Sequence, residues 1–419
     1  MIEKAQPNDR RLMSQPVSVV VYTPANMNAI DGSSVWIQTI TLALADVPGV
    51  DVTLLLSHGV TTERMIGPLL ASPNVTVIDP IAEGLTESDP LTLDESATIL
   101  SRMTSKGADV VVVRGMDAAH RFSKKRRLRG RLWPYLTDIP QSAEDVDTES
   151  RERMTQIMSA APILLCQTEE LRLFVESQFP AVKGKGRVFP PAIPRDISPT
   201  VLPPPNSGDL RLCYSGKFAR TWNTYEMCEL PAALAARGIN ATLTMVGDKI
   251  NRDPARPEFV TKMRSKLESS PRVDWVGGVA REQSIAHMAQ AHIGLSWRAP
   301  ELDDSLELST KLLEYCAAGT PPVLNRTPMH EHIFGIEYPL FVDQHSPVLD
   351  LLESVARSPD TYQVALGKTS QITVDYTLDR ASQRLSELIA ETLNSRDSWT
   401  LTRLGWMRRK GLVDRSGHR

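Results

Sequence analysis

The chain has 419 residues, too many for one ordinary hydrophobic core, so two domains are expected. A hydrophobic content of 41% and a charged content of 23% are those of a globular protein, and a net charge of −3 gives no global field that would select nucleic acid. The four cysteines, Cys166, Cys213, Cys228 and Cys316, form no CxxC pair and argue against a disulfide framework or a thiolate metal site; they read as buried free thiols in a reducing, cytoplasmic compartment.

The opening stretch MIEKAQPNDRRLMSQ has charge but no apolar core of its own, so it does not read as a signal peptide. No apolar run approaches the roughly 20 residues of a membrane span. VSVVVYT (17–23) is a short, β-branched apolar run, the signature of a buried parallel strand. The polar loop PANMNAIDGSSVW follows, then a helix to about Leu44. VDVTLLLS, NVTVID, ADVVVVRG (108–115), LWPYLTDIP and APILLCQT are further strands, separated by helical stretches. That alternation predicts a doubly wound α/β domain.

The segment FPPAIPRDISPTVLPPPNSGD (189–209) is one-third proline and predicts a stiff linker. The alternation then restarts. LRLCYSG, ATLTMVGD, RVDWVGG, HIGLSW and TPPVLN are strands, REQSIAHMAQA is a helix, and Gly238 fits the end of another, which Pro231 kinks or restarts. The predicted architecture is two Rossmann-like domains facing a central cleft: residues 1–195, a linker 196–209, residues 210–375, and C-terminal helices 376–419 crossing back to the first domain. Ligands of such sheets bind beyond the C-terminal ends of the strands.

Three loops of the second domain stand at such ends. In YSGKFARTWN (214–223), Gly216 permits a tight turn, and Lys217 and Arg220 bring two cations to the cleft. In WVGGVA (275–280), Gly277 and Gly278 let backbone approach a flat ligand. In STKLLEYCAAGTPPV (309–323), a helix begins at a Ser/Thr pair, either of which can cap it, and its first N–H groups form an anion site suited to phosphate. Glu314 lies one turn in, placed for ribose hydroxyls rather than phosphates.

SGKFAR, LTMVGDK, VDWVGGV and STKLLEYCAAGTPPV, in this order and spacing, resemble the nucleotide-sugar domain of retaining GT-B glycosyltransferases of the GT4 type. CQTEELRLFVESQFP and KGRVFPPAIP resemble the end of their first domain. The resemblance implies a glycosyltransferase that moves a sugar from a nucleoside-diphosphate donor to a hydroxyl acceptor, as in cell-envelope polysaccharide assembly. It implies that Arg220 and Lys217 hold the diphosphate and that 276–279, including Val279, meet the base. Glu314 would bind ribose, and the loop through Glu307, Leu308, Ser309, Thr310 and Lys311 would hold the diphosphate and the sugar. Gly32 and Ser33 would face the donor from the first domain. Arg114, Asp117 and His120 are acceptor-side candidates, and Asp138 or Asp117 would assist the acceptor hydroxyl. No cofactor or metal is required, because arginine, lysine and a helix dipole can neutralise the leaving group. Three positions depart from the family pattern: Leu306 stands eight before Glu314 with Glu307 one off, Trp222 replaces a lysine, and Thr137 replaces a histidine. The alternatives are a GT-B nucleotide-sugar epimerase and a non-catalytic nucleotide-sugar binder.

KGKGR (183–187) lacks phosphate-loop spacing and reads as a turn, and MHEHIF (329–334) as a cleft loop with no metal motif. Residues 120–133 carry seven cations from Arg121 to Arg131, interleaved with Phe122, Leu128, Leu132 and Trp133. Such a run is a solvated face or, with its apolar residues, a peripheral contact with the inner face of an anionic membrane. The tail SWTLTRLGWMRRKGLVDR has the same character and would dock on the first domain or on lipid.

Overall fold

The computed structural model describes residues 16–195, 197–206 and 208–409, with side chains as far as 395. The first sheet has seven strands: β1 Val17–Tyr22, β2 Val50–Leu55, β3 Val75–Ile78, β4 Val110–Arg114, β5 Leu132–Tyr135, β6 Leu164–Cys166 and β7 Gly186–Val188. Its order is β3-β2-β1-β4-β5-β6-β7, all parallel, with Val17 opposite Val50 and Val19 opposite Val110. The second has six: β8 Leu210–Ser215, β9 Ala241–Val246, β10 Val273–Gly277, β11 Ile293–Leu295, β12 Pro322–Asn325 and β13 Phe341–Val342, in the order β10-β9-β8-β11-β12-β13. Helices cover both faces, which is why Val110, Val111, Val112 and Val113 are all fully buried and no polar alternation appears in the run.

The helix Gly32–Ala45 is buried on nearly every side. Its inner face meets the first sheet. Its outer face meets the last helix, Leu378–Arg409, which returns from the second domain: Trp36, Ile40 and Leu44 share one apolar cluster with Leu378, Leu385 and Ile389. Burying each of those three last side chains contributes about 1.5–3 kcal/mol before conformational entropy is counted. The two chain crossings run side by side, joined by Ile193 N donating to Tyr376 O at 2.7 Å. The linker also rests on the second domain, where Thr200 N donates to Ala318 O at 3.0 Å. Pro231 restarts a helix rather than kinking one: it occupies the first turn of Leu230–Ala236, where its missing N–H costs nothing. The four cysteines are buried and free, and burial pushes the Cys166, Cys213 and Cys228 thiols up to about 12.

Two expectations are corrected here. In the basic segment, Phe122, Leu128, Leu132 and Trp133 are fully buried in the first-domain core, so none is left to enter a lipid surface. They are interleaved with cations because the chain there packs a helix and a short turn, each with one inward face, before β5, which is buried on both. Arg121 and Arg131 pair with Asp94 and Asp109. MHEHIF is not a cleft loop but part of the helix Pro328–Phe334, capped by Thr327, whose hydroxyl accepts from His330 N at 3.2 Å. His330 is buried against Asn325 O, and His332 lies at the surface 2.9 Å from Glu170. The tail from 398 runs as helix to Arg409, and its side chains lie outside the described residues. Among the described residues no helix is long and apolar enough to cross a membrane.

Candidate functional site

In each sheet the strand order reverses once, between β1 and β4 and between β8 and β11. The loops leaving a reversal point diverge and open a crevice beyond the strand ends. Here the two crevices face each other and enclose a cavity of about 580 Å³, within the range of small-molecule sites. All four loops supply its wall: Asn28–Ser33 after β1, Arg114 ending β4, Gly216 and Lys217 after β8, and Arg298 after β11. Seven lysines and arginines against four carboxylates line the cavity, in a chain whose net charge is −3. The local field therefore favours an anionic ligand.

The glycine loops of the second domain pack tightly on one another. Gly247, after β9, has φ +137°, and a Cβ there would stand 2.2 Å from Gly216 O. Gly247 N donates to Gly277 O at 2.8 Å, and the Trp275 indole donates to Gly247 O at 2.8 Å. A Cβ on Gly278 would meet Asp248 Oδ2 at 2.3 Å. Gly278 and Val279 line the cavity and Gly277 lies behind them.

The helix Thr310–Ala318 begins with Ser309 as its cap residue, but no side chain caps it. Leu312 N donates to Ser309 O at 3.1 Å, and the N–H groups of Thr310 and Lys311 are left for a ligand. Lys311, in that first turn, opens only to the cavity. Its ammonium lies 4.0 Å from the Tyr214 ring centroid and 5.6 Å from that of Trp222. Burial, then the neighbouring Arg298, lowers it to about 7. Arg298 stands 6.0 Å from the Trp222 ring centroid, and burial lowers its pKa as well. Neither cation has a hydrogen-bond or ion-pair partner among the described residues. Glu314, by contrast, is engaged: Arg281 Nε donates to its Oε1 at 2.8 Å, both side chains are nearly buried, and Arg281 also donates to Gln38 of the first domain at 3.3 Å.

The loop before that helix crosses to the first domain. Leu306 N donates to Gln141 at 2.8 Å, Leu306 O accepts from Thr168 at 2.9 Å, and the Leu306 side chain packs on the first-domain core. That leaves Glu307 facing the cavity, where burial raises its pKa against the pull of Arg114 and Arg298. Arg114 donates to Ser33 Oγ at 2.9 Å and stands 5.6 Å from each of the Trp36 and Tyr135 rings. Asp31 accepts from Ser33 N and Ser34 N, capping the first helix, and its other oxygen is 3.4 Å from Lys217 Nζ across the cleft. Those donors and that cation hold its carboxyl below the usual range despite burial.

Of the residues singled out in the sequence, Gly32, Ser33, Arg114, Gly216, Lys217, Gly278, Val279 and the set Glu307, Leu308, Ser309, Thr310, Lys311 and Glu314 come together on the cavity wall. Five do not. Arg220 turns outward to Asp253 at 2.7 Å and Glu301 at 3.1 Å. Gly277 is behind the wall. Asp138 spends its Oδ1 on Met116 N, at the start of the helix Met116–Ser123. Asp117 is exposed and pairs with Arg153, and His120 lies among Lys124, Arg153 and Arg121 on the same helix. Arg281, Arg298, Asp31 and Trp222 went unassigned. Arg298 is the first cation after β11, so a search restricted to reversal-point strands would have found it.

No protein-family model and no curated protein sequence matches the chain. Solved structures do. HepE of Anabaena, in complex with UDP and glucose, matches with a TM-score of 0.64 at 13% identity, over 89% of this chain and 99% of its own. The sucrose-phosphate synthase of Thermosynechococcus elongatus matches at 0.67 and 13%, over 90% and 100%. WaaG, a glycosyltransferase involved in lipopolysaccharide biosynthesis, matches at 0.59 and 14%, over 89% and 99%. Likeness at such identities is likeness of fold: this chain has the GT-B fold of two Rossmann-like domains about a cleft.

Proposed function

We propose that the protein is a retaining glycosyltransferase that moves a sugar from a nucleoside-diphosphate donor to a hydroxyl acceptor, a glycan, glycolipid or small molecule, in cell-envelope polysaccharide assembly. The observation that carries this reading is the excess of cations around an uncapped helix start in the GT-B cleft. Structures of the same fold hold UDP and glucose or UDP-glucose, which makes UDP-sugars the first donors to test.

In the reaction the anomeric C–O bond breaks with its electron pair on the β-phosphate. The acceptor oxygen bonds to the anomeric carbon on the same face, and its proton passes to the departing diphosphate. Charge builds on that diphosphate as the bond breaks, so fixed cations and N–H dipoles lower the barrier; one such donor is worth about 3 kcal/mol. Lys217, Lys311 and the N–H groups of the helix start would serve, and turnover is expected to survive EDTA. Glu314 would accept from ribose hydroxyls with its second oxygen, its first being held by Arg281.

A non-catalytic nucleotide-sugar binder is the second reading. One observation favours it: Arg220 and Glu314 are both engaged by internal partners. A thermal-shift panel of UDP, GDP, ADP and their sugars, on wild type and Glu314→Ala, tests donor binding. Release of free nucleotide from a labelled donor then separates transferase from binder. A donor recovered with one inverted carbon would identify an epimerase.

A further inference from the structure

We infer that Arg298 is a catalytic residue that grips the donor diphosphate together with Lys311, and that Asn325 is the residue that positions it. The inference rests on the donor reading above and adds the two residues that would hold the leaving group.

A guanidinium offers five N–H donors in a rigid fork and does not lose its charge at neutral pH. Buried charges are paired unless something is missing. Arg298 faces the cavity with no acceptor for any donor among the described residues, and its neighbour Lys311 is in the same position. None of the cavity's four carboxylates, Asp31, Asp248, Glu307 and Glu314, is in hydrogen-bond or ion-pair contact with the Arg298 or Lys311 side chain. Glu314 is on Arg281, Asp31 on Lys217 and the first-helix cap, and Glu307 answers to both Arg114 and Arg298. Two cations thus stand side by side with Glu307 and Glu314 acting on them only at a distance, against the faces of Tyr214 and Trp222, and with no direct ion pair among the described residues. A neutral polyol would leave both charges unanswered. A group with two negative charges and paired oxygens answers both, and a diphosphate is that group.

The Arg298 backbone is fixed as well. Arg298 N donates to Asn325 Oδ1 at 2.7 Å, and Asn325 Nδ2 donates to Arg298 O at 2.9 Å. Asn325 ends β12 and is itself held by Asp303 Oδ1 at 2.6 Å. A side chain on an anchored stem needs no rearrangement when charge develops, which is the condition for a large electrostatic effect. Lys217 and Arg220, on the loop after β8, are instead paired directly with carboxylates, Lys217 with Asp31 across the cleft and Arg220 with Asp253 outside it.

The test is titration of full-length wild type, Arg298→Gln and Arg298→Lys with UDP, GDP, ADP, the matching monophosphates and inorganic pyrophosphate. Wild type is expected to bind a nucleoside diphosphate. Arg298→Gln should weaken it by about ten- to a hundredfold, the range for a lost charged hydrogen bond, and affect the monophosphate far less. Arg298→Lys should fall between, because it keeps the charge and loses the fork. Folding should survive, since the substitution removes an uncompensated charge, and the thermal midpoint should hold or rise. Guanidinium ion added to Arg298→Ala should restore part of the turnover. Asn325→Ala should weaken diphosphate binding in the wild-type background and add little in the Arg298→Gln background, the signature of acting through Arg298. Unchanged diphosphate affinity in Arg298→Gln overturns this inference and leaves the donor reading standing. Wild type that binds neither a nucleoside diphosphate nor pyrophosphate overturns both.

Discussion

Raising the pH from 6 to 9 should weaken binding of a nucleoside-diphosphate sugar by nearly a hundredfold, through Lys311. Burial and Arg298 hold this ammonium at about 7, with Glu314 pulling the other way; Tyr214 and Cys213 of β8 also face it. A bound diphosphate supplies the missing negative charge and returns the group to at least its ordinary value of 10.5. The protonated form is then the binding form, and each pH unit above about 7 costs roughly tenfold in affinity until the bound group itself titrates. A diphosphate sugar keeps its two charges throughout this window, so the ligand adds no slope. Calorimetry at pH 6, 7, 8 and 9 measures the effect. Lys311→Arg should bind with no slope, since arginine stays charged, and Lys311→Gln should bind weakly and equally at every pH. The stability of the empty protein moves in the opposite sense. Between about 7 and 10.5 the unfolded chain holds the proton and the folded one does not, so this group makes stability rise with pH. A wild-type dissociation constant flat within twofold from pH 6 to 9 would refute the reasoning.

Three further outcomes are expected. Arg281→Ala leaves Glu314 buried without its partner and should cost about 3 kcal/mol in urea unfolding, whereas a surface pair would cost less than 1 kcal/mol. Gly247→Ala must push a methyl group into Gly216 O and adopt a φ that alanine avoids; unfolding by urea should show a loss of about 2 kcal/mol or more, with donor binding impaired alongside. Trp133→Ala should lower stability by about 3–5 kcal/mol, as for a core aromatic, without changing partition onto anionic vesicles; reduced vesicle binding at full stability would restore the lipid-contact reading of residues 120–133.

What could be read in the sequence was what local chemistry dictates. β1 and β4 announced themselves because a strand buried on both faces is a nearly unbroken apolar run, whereas nothing in the proline-rich stretch marks that Phe189, Ala192 and Ile193 enter the cores. The helix start at Ser309 was visible because capping residues, a glycine stop and a following strand all lie within fifteen residues. The misses are long-range. The Arg281 pair with Glu314 exists because the helices Arg281–Ala289 and Thr310–Ala318 meet in space, and nothing near either residue says so. Whether Leu306 or Glu307 faces the cleft depends on Gln141 and Thr168 of the other domain, which fix the loop's rotation. Leu128 and Trp133 looked like a lipid-seeking face because a run of cations hides the inward side of a turn and a strand; only the neighbouring strands β4 and β6 reveal that the aromatic is core. Arg298 directly follows HIGLSW, which is legible as a strand, but only the sheet order shows that this strand stands at the reversal point.

The last helix imposes an order of manufacture. Leu378, Leu385 and Ile389 close the outer face of the helix Gly32–Ala45, so the earlier of the two domains cannot finish its core until the later one has been made. The second domain has no such debt and can consolidate while its predecessor waits with Trp36 and Ile40 only half covered. A premature stop near residue 376 would therefore damage the domain that was translated earlier of the two, and a chaperone that follows this nascent chain should hold the first domain long after the second has let go.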